Sequence, residues 1–407
     1  MAESVDVVVV GAGQAGLSLS HELTRASIEH LVLERSEVGE SWRRRWDSFC
    51  LVVPNWSVRL PGGAYDGDDP DGFMPKAEIV DFLKAYATGF NAPVRSGVEV
   101  SAVTQREEDG AGGFLLQTST GDIHARDVVL AAGGYQKAHR PAAAAQLAEE
   151  SVLVIDAEDY LNPSALPPGE VLVVGSGQTG CQLADECFRA GRTVHLACGR
   201  APWIPRRFEG RDSVSWLLDT KFFEARLEDL PPATRLGANP QLTGAGGGRD
   251  LNYRVLQALG VNLLGHFAGA EAGRAHFAGD LHDLVAFGDA RYAFLCDLIA
   301  KSCASRSMPA PEMPEPPPFQ ADPPESLDLG SVGAVIFTTG FRPDYNKWVS
   351  PAEAFDESGF PIQVDGSSTV VPGLHFMGLH FQRKRKSATL FGVAEDAGVL
   401  GERIAAR

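Results

Sequence analysis

No stretch of about 18 consecutive apolar residues occurs in the 407-residue sequence, so no segment reads as a membrane-spanning helix. No secretory leader is expected: the sequence enters a valine run at once, without a basic n-region or a small-residue cleavage site. Positive charge is scarce. Lys and Arg number 36 against 53 Asp and Glu, and the resulting net charge of −17 repels phosphate backbones and anionic lipid. Nucleic acid and membrane are therefore not expected partners. Cysteine is sparse: Cys50, Cys181, Cys187, Cys198, Cys296 and Cys303 include no C-x-x-C pair, which argues against a zinc ribbon, a disulfide framework or a dithiol redox centre. Reduced thiols in a cytoplasmic protein are the expectation. What remains is an ordinary globular composition, 44% hydrophobic and 22% charged, and a length that suits two or three domains.

The informative features are glycine patterns. A β-branched run at Val7–Val10 leads into GAGQAG at Gly11–Gly16 and an apolar-periodic stretch from Leu17 to Ala26, with a second apolar run at His30–Glu34. This predicts a strand, a tight turn, a helix and a parallel strand. In such a unit Gly11 permits the turn, Gly13 lets backbone approach a pyrophosphate, and Gly16 brings helix against strand. Glu34, at the end of the second strand, is placed to accept hydrogen bonds from the hydroxyls of an adenosine ribose.

The same grammar returns 164 residues later as Val171–Val174, GSGQTG at Gly175–Gly180, Cys181–Ala190 and Thr193–Cys198. The position matching Glu34 is Cys198, so the ribose-binding acid is absent, and Arg200, Arg206, Arg207 and Arg211 follow. Guanidinium groups without a repelling acid favour a 2′-phosphate, hence NADPH over NADH; a solvated basic loop is the alternative. Two such units, one for each ribose type, suggest FAD plus NADPH.

The rest of the chain is read around these units. Val98–Val103 and Phe114–Thr118 are predicted strands of a small β layer, and Val128–Leu130 a buried strand ending at Ala131, Ala132, Gly133 and Gly134. Phe208–Ser307 reads as mostly helical, with TGAGGGRD at Thr243–Asp250 as a mobile loop that lacks the Lys-Ser/Thr ending of a P-loop. Eight prolines within Met308–Glu325 predict an extended connector. Val332–Thr339 is a predicted strand and Asp396–Ile404 a terminal helix. The acid-rich stretch Asp66–Asp71 mimics a calcium loop, but Pro70 holds a required ligand position, and no metal is expected.

Several longer motifs carry a resemblance: GAGQAGLS at Gly11–Ser18, GESWRRRWDSFCLVVPNW at Gly39–Trp56, DPDGFMPKAEIVDFLKAYA at Asp69–Ala87, VVLAAGGYQKAHRP at Val128–Pro141, VLVVGSGQTGCQLADE at Val171–Glu186, FTTGFRPD at Phe337–Asp344, GLHF at Gly378–Phe381 and GVAEDAG at Gly392–Gly398. In these the chain resembles the class B flavin-dependent monooxygenases, in particular bacterial flavin-containing monooxygenase-like proteins akin to the plant YUCCA enzymes. The resemblance implies an α/β fold of two Rossmann-like dinucleotide-binding domains, for FAD and NADPH, the second inserted in the first. The expected boundaries are 1–162 with 326–407 for FAD, and 163–325 for NADPH with a mostly helical insertion at about 208–307.

It implies that Gly11, Gly13, Gly16, Glu34 and Trp42 contact FAD, that Asn55 lies near the reactive flavin edge as the catalytic candidate, and that Gly175, Ser176, Gly177, Gln178, Thr179 and Arg200 hold NADPH. Further cofactor candidates are Gln14, Ala15, Arg35, Ala132, Gly133, Gly180, Arg206 and Asp396. The implied chemistry reduces FAD with NADPH, captures oxygen as a flavin C4a-hydroperoxide and oxygenates a small molecule at a soft nitrogen or sulfur. A carbonyl-directed reaction, either Baeyer–Villiger insertion or oxidative decarboxylation of a 2-oxo acid, is the alternative, and a flavin-binding NADPH sensor a third. A homodimer is compatible with all three.

One departure bears on this choice. The family fingerprint F-x-G-x-x-x-H-x-x-x-Y/F, ending at Tyr160, has Glu150, Val152 and Asp156 at its Phe, Gly and His positions. Trp42, Trp46 and Trp56 either wall the flavin or pack the core. The run Arg383, Lys384, Arg385 and Lys386 reads as a solvated face, or as a site attracting an acidic substrate or a phosphate.

Overall fold

The computed structural model describes residues 3–106 and 112–407. Strand β1 (Glu3–Val10) is buried along its valine run, since a strand covered on both faces needs apolar side chains on both. Helix α1 (Gln14–Arg25) returns the chain to β2 (His30–Glu34), parallel to β1. Helix α2 (Lys76–Gly89) leads to β3 (Val94–Ser96), parallel to β2. Strands β4 (Val100–Gln105) and β5 (Phe114–Thr118) are antiparallel, and β6 (Ile123–Leu130) runs antiparallel to β5 and parallel to β1.

A second sheet follows. Its chain segment comprises β7 (Leu153–Asp156), β8 (Glu170–Val174), α3 (Gln178–Arg189), β9 (Val194–Ala197), α4 (Ser213–Leu218), α5 (Tyr253–Leu259) and β10 (Asn262–Leu264). It continues through β11 (Phe267–Glu271), β12 (Arg274–Phe277), α6 (Leu281–Ser305), β13 (Ser326–Asp328) and β14 (Val332–Phe337). The order β7-β14-β8-β9-β10 is parallel throughout, and β11-β12-β13 form a separate antiparallel sheet. The chain then returns to the first sheet: β15 (Leu374–Phe376) lies parallel to the end of β6, and α7 (Val393–Ala405) packs on α1. The expected doubly wound α/β architecture is present twice.

Three expectations are corrected. Strands β7 and β14 both belong to the second sheet, so the segment that builds it runs beyond the expected limits of 163 and 325 on both sides. The region 208–307 holds α4, α5 and the long α6 but is not helical throughout, because β10, β11 and β12 also lie within it; these strands are three to five residues long, too short to give a readable alternation. Nor is Thr243–Asp250 a free loop. Thr243 and Gly248 are buried, a Cβ on Gly244 would fall 2.0 Å from the Leu51 carbonyl oxygen, and Arg249 pairs with Asp185. The glycines permit close packing against the first domain rather than motion.

The proline-rich connector has no regular secondary structure over 309–324, as its composition predicts. It is tied down by Arg254 Nε to the Pro317 carbonyl (2.8 Å) and Tyr292 OH to the Pro314 carbonyl (2.8 Å). Where the chain passes between the sheets, Lys137–Ala138 pairs antiparallel with Phe341–Arg342.

Candidate active site

The first glycine turn sits at the carboxyl end of β1. Gly11 has φ +112°, and a Cβ there would lie 2.5 Å from the Ala131 carbonyl oxygen, so a larger residue is excluded twice. A Cβ on Gly16 would lie 1.9 Å from the Gly11 carbonyl oxygen, which is the close helix–strand approach expected of the third glycine. Beside Gly13 the space is open, with nothing within 4 Å of a would-be Cβ. Helix α1 begins there with no side-chain cap and no acid in its first turn, leaving its amide groups and dipole facing that space.

Glu34 stands at the end of β2 with its carboxylate fixed by the Ala12 amide (2.9 Å) and the Ser36 amide (3.0 Å); Arg35 beside it is exposed. Trp42 donates its indole N–H to Gln14 Oε1 (3.0 Å), and Gln14 Nε2 reaches the Ala388 carbonyl (3.4 Å). Ala15 meets Gly378, whose would-be Cβ is 2.5 Å away. Ala132 and Gly133, the latter at φ +81°, follow β6 next to Gly11. Asp396 lies in the first turn of α7, buried, with Oδ1 3.4 Å from Arg383 and Oδ2 without a partner; burial raises its carboxyl above the ordinary value. The three tryptophans separate: only Trp42 is tied to the first turn, while Trp46 packs in the core of the second sheet and Trp56 against the aromatic cluster around α4 and α6.

Asn55 is buried, and its amide is used within the protein: Oδ1 accepts from the Met74 amide (2.7 Å) and Nδ2 donates to the Asp69 carbonyl (2.9 Å). The side chain therefore pins the 69–74 segment.

The second turn repeats the first. Gly175 has φ +103° against Thr338, whose Oγ1 donates to the Gly175 carbonyl (2.7 Å), and a Cβ on Gly180 would lie 1.9 Å from that carbonyl oxygen. Helix α3 starts at Gln178 after Gly177, uncapped and without an acid in its first turn, and Thr179 is half-buried beside it. Ser176 is turned inward, accepting from the Gly199 amide (2.7 Å) and hydrogen-bonded to the Tyr253 hydroxyl. Gln178 Nε2 donates to the Pro240 carbonyl (2.7 Å), and Ala238 lies 3.8 Å from a would-be Cβ on Gly177, so the 238–242 segment covers this turn.

At the ribose position Cys198 is buried and its thiol is pushed well above its ordinary range, chiefly by burial. Arg200 is exposed just past β9, lies 6.0 Å from the centroid of the Phe287 ring, and has no carboxylate partner among the described residues. His266, not singled out from the sequence, follows β10 at the same edge, with Nε2 3.8 Å from a would-be Cβ on Gly199 and Nδ1 2.5 Å from Asp280. Only the placement of β10 beside β9 brings it there.

Arg206 is a correction. It is 1% exposed, holds Asp212 (2.5 Å) and the Val52 carbonyl (2.9 Å), and covers the Phe73 ring at 5.0 Å. A guanidinium so committed ties the second domain to the 52–73 segment and is not free for a phosphate. Arg207 is bonded to the Gly247 and Gly248 carbonyls and Arg211 to Asp219, so Arg200 alone of the four remains available. At the altered fingerprint, Asp156 binds Arg140 through both oxygens (2.8 and 2.9 Å), Glu150 accepts from the Gly273 amide (3.1 Å), and Tyr160 is fully buried. These side chains secure the passage between the sheets.

Comparison with known proteins agrees with this arrangement. Residues 8–225 match the family model described as pyridine nucleotide-disulphide oxidoreductase. An uncharacterized CzcO-like oxidoreductase of Geobacillus kaustophilus is 31% identical over 98% of both chains. A probable indole-3-pyruvate monooxygenase of the YUCCA type from Arabidopsis thaliana is 24% identical over 54% of this chain and 55% of its own. Among solved structures, an ornithine N-hydroxylase from Kutzneria sp. 744, determined with reduced FAD, NADP+ and L-ornithine, superimposes with a TM-score of 0.65 at 17% identity over 99% of each chain. The chain belongs to the pyridine nucleotide-disulphide oxidoreductase family.

Proposed function

We propose that the protein uses FAD and NADPH to place one atom of dioxygen on a small molecule, in a cytoplasmic setting. The observation that carries this reading is the contrast between the two glycine turns. The first has a fixed carboxylate, Glu34, at its ribose position; the second has buried Cys198 followed by free Arg200. The residues fit both groups, because each turn offers an uncapped helix start, and the space beside Gly13 is open. The N-hydroxylase with FAD and NADP+ on the same fold supports the pairing.

In this reading the amides at Gly13, Gln14 and Ala15 face the FAD diphosphate, Glu34 accepts the adenosine hydroxyls, and Arg35, Ala132 and Gly133 flank them. Trp42, held by Gln14, and Asp396, at the start of α7, bound the flavin end. Gly175–Gly180 receive the NADPH diphosphate, with Thr179 beside it, and Arg200 takes the 2′-phosphate. Ser176 and Gln178 hold the turn and its cover in place. Asn55 acts through position, keeping the 69–74 segment against the site. Bound FAD supplies the exchange of two electrons between nicotinamide and dioxygen, which no side chain can.

Gln14 and Trp42 are neutral and bonded to each other, and Asn55 is neutral and bonded to backbone, so none of the three offers a free general base; the one buried carboxyl placed at the flavin end is Asp396. That suits a substrate whose own lone pair, on a soft nitrogen or sulfur, attacks the activated oxygen. The test is anaerobic mixing of the yellow holoprotein with NADPH and with NADH, followed by oxygen uptake. Faster bleaching with NADPH, and NADPH oxidation that accelerates when substrate is added, support the reading. A flavin that NADPH does not reduce, or turnover insensitive to every candidate substrate, rejects it in favour of a sensor.

A further inference from the structure

The basic run at 383–386 is mostly neutralised within the fold. Three members of the run at 383–386 are paired: Arg383 with Asp365 (3.2 Å) and Asp396 (3.4 Å), and Lys384 and Lys386 each with Glu224 and Glu395. This corrects the expectation of a solvated face. Arg385 differs: among the described residues no carboxylate pairs with its guanidinium, and its Nε is shielded from solvent without a hydrogen-bond partner. The guanidinium lies 4.4 Å from the Phe222 ring centroid and 5.0 Å from that of Phe381. Burial, and then the charge of Arg291, bring its pKa down to about 10.

Arg235 joins the same cluster. Its Nε is likewise buried without a partner, it covers the Phe360 ring at 3.8 Å, and it meets a single acid, Asp356, at 3.2 Å. His380 feels both guanidiniums, and burial with their two charges pushes it down to about 4, so it is neutral at pH 7 and offers no counter-charge. Arg385 and Arg235 therefore have one paired carboxylate between them, Asp356 on Arg235, in partly desolvated, aromatic surroundings, and the exposed Arg291 adds a third positive charge near Arg385. A desolvated guanidinium left without an acid is strongly stabilised by any anion that reaches it, and its planar fork matches a carboxylate.

The place is as telling as the charge. The strap carrying Arg385 starts at Gly378, against Ala15, and passes Ala388, bonded to Gln14, so it borders the first glycine turn. The segment after α4 crosses it through backbone bonds from the Arg385 amide to the Ala225 carbonyl (2.9 Å) and from the Lys386 amide to the Phe223 carbonyl (3.3 Å).

We propose that Arg385, with Arg235 beside it, forms a carboxylate subsite, and that the molecule oxygenated is a small organic acid with an aromatic or apolar body that packs on Phe222, Phe360 and Phe381. The word substrate rests on the monooxygenase reading; the anion site does not. Calorimetric titration of the FAD-loaded protein with benzoate, phenylacetate and 4-methylpentanoate, each against its neutral amide, tests it. At least one acid should bind tenfold or more tighter than its amide. Arg385→Gln should abolish that preference and Arg385→Lys should retain part of it, with FAD content and the anaerobic rate of flavin reduction by NADPH unchanged in both. Equal or absent binding across all three pairs overturns the proposal. So does loss of FAD or slower reduction in Arg385→Gln, which would assign the guanidinium to a cofactor, or inorganic phosphate competing as tightly as the acids. Acid-selective binding without oxygen transfer would sustain the subsite and sink the monooxygenase reading alone.

Discussion

Arg200 and Arg206 stand six positions apart in one basic stretch, yet burial separates them completely. Arg200→Ala removes a free charge at the end of β9, and NADPH affinity should fall roughly tenfold or more, as expected for a charge-assisted contact of about 1.5–3 kcal/mol, while NADH is little changed. Equal losses for both nucleotides in steady-state kinetics would rule out a 2′-phosphate role. Arg206→Ala instead strands Asp212 and should cost about 3–5 kcal/mol of stability in denaturant titration, without a shift in nucleotide preference. Asp127 offers a pH test. Its buried carboxylate accepts from Arg126 (2.7 Å) and His375 (3.2 Å) and lies 3.3 Å from Arg407; burial opposes ionisation, but these partners prevail and hold its pKa below the ordinary carboxylate value. The folded state thus binds fewer protons than the unfolded state as pH falls below about 4–5, so Asp127 contributes stability above that range and loses it toward its depressed folded pKa. Melting curves of Asp127→Asn should show lower stability at pH 7 and a shallower acid limb; an unchanged limb would mean that other carboxylates dominate.

Among elements, the glycine turns make the sharpest contrast. Gly13→Val adds its side chain to open space and should leave the fold intact while abolishing FAD binding; Gly16→Ala forces a Cβ to within 1.9 Å of a backbone oxygen and should lower stability as well. Absorbance at 450 nm and thermal melts distinguish the two outcomes, and full FAD occupancy in Gly13→Val would disprove the assignment of the first turn. These turns were legible in the sequence because backbone geometry dictates glycine there, and a strand and a helix flank each one. Asp156 was legible only as a loss. The position reads as a broken fingerprint until Arg140 is seen across from it, sixteen residues upstream in sequence but in bidentate contact in space. His266, Tyr253 and the pairing of Lys384 and Lys386 with Glu224 and Glu395 gave no sequence signal, since each depends on contacts between distant segments. Strands β10 to β12 were missed because a few residues cannot display a period.

For the whole molecule, the two sheets are joined by ties at several places: Arg206 to Val52, Gly244 against Leu51, the antiparallel linkers, and the Lys–Glu cluster at 224, 384, 386 and 395. These ties hold both glycine turns in one body, as the proposed hydride transfer between NADPH and FAD would require. No helix among the described residues is long and apolar enough to cross a membrane. The claim that this body is an oxygenase is tested most directly by following oxygen itself. The FAD-loaded protein, NADPH and a panel of small acids bearing amine or thioether groups are incubated under oxygen-18 gas, and products are weighed by mass spectrometry while NADPH and hydrogen peroxide are measured. The account predicts one labelled atom in one product per NADPH consumed, with the second atom in water and little peroxide. NADPH consumption accompanied by unlabelled substrates and a matching yield of hydrogen peroxide would contradict it.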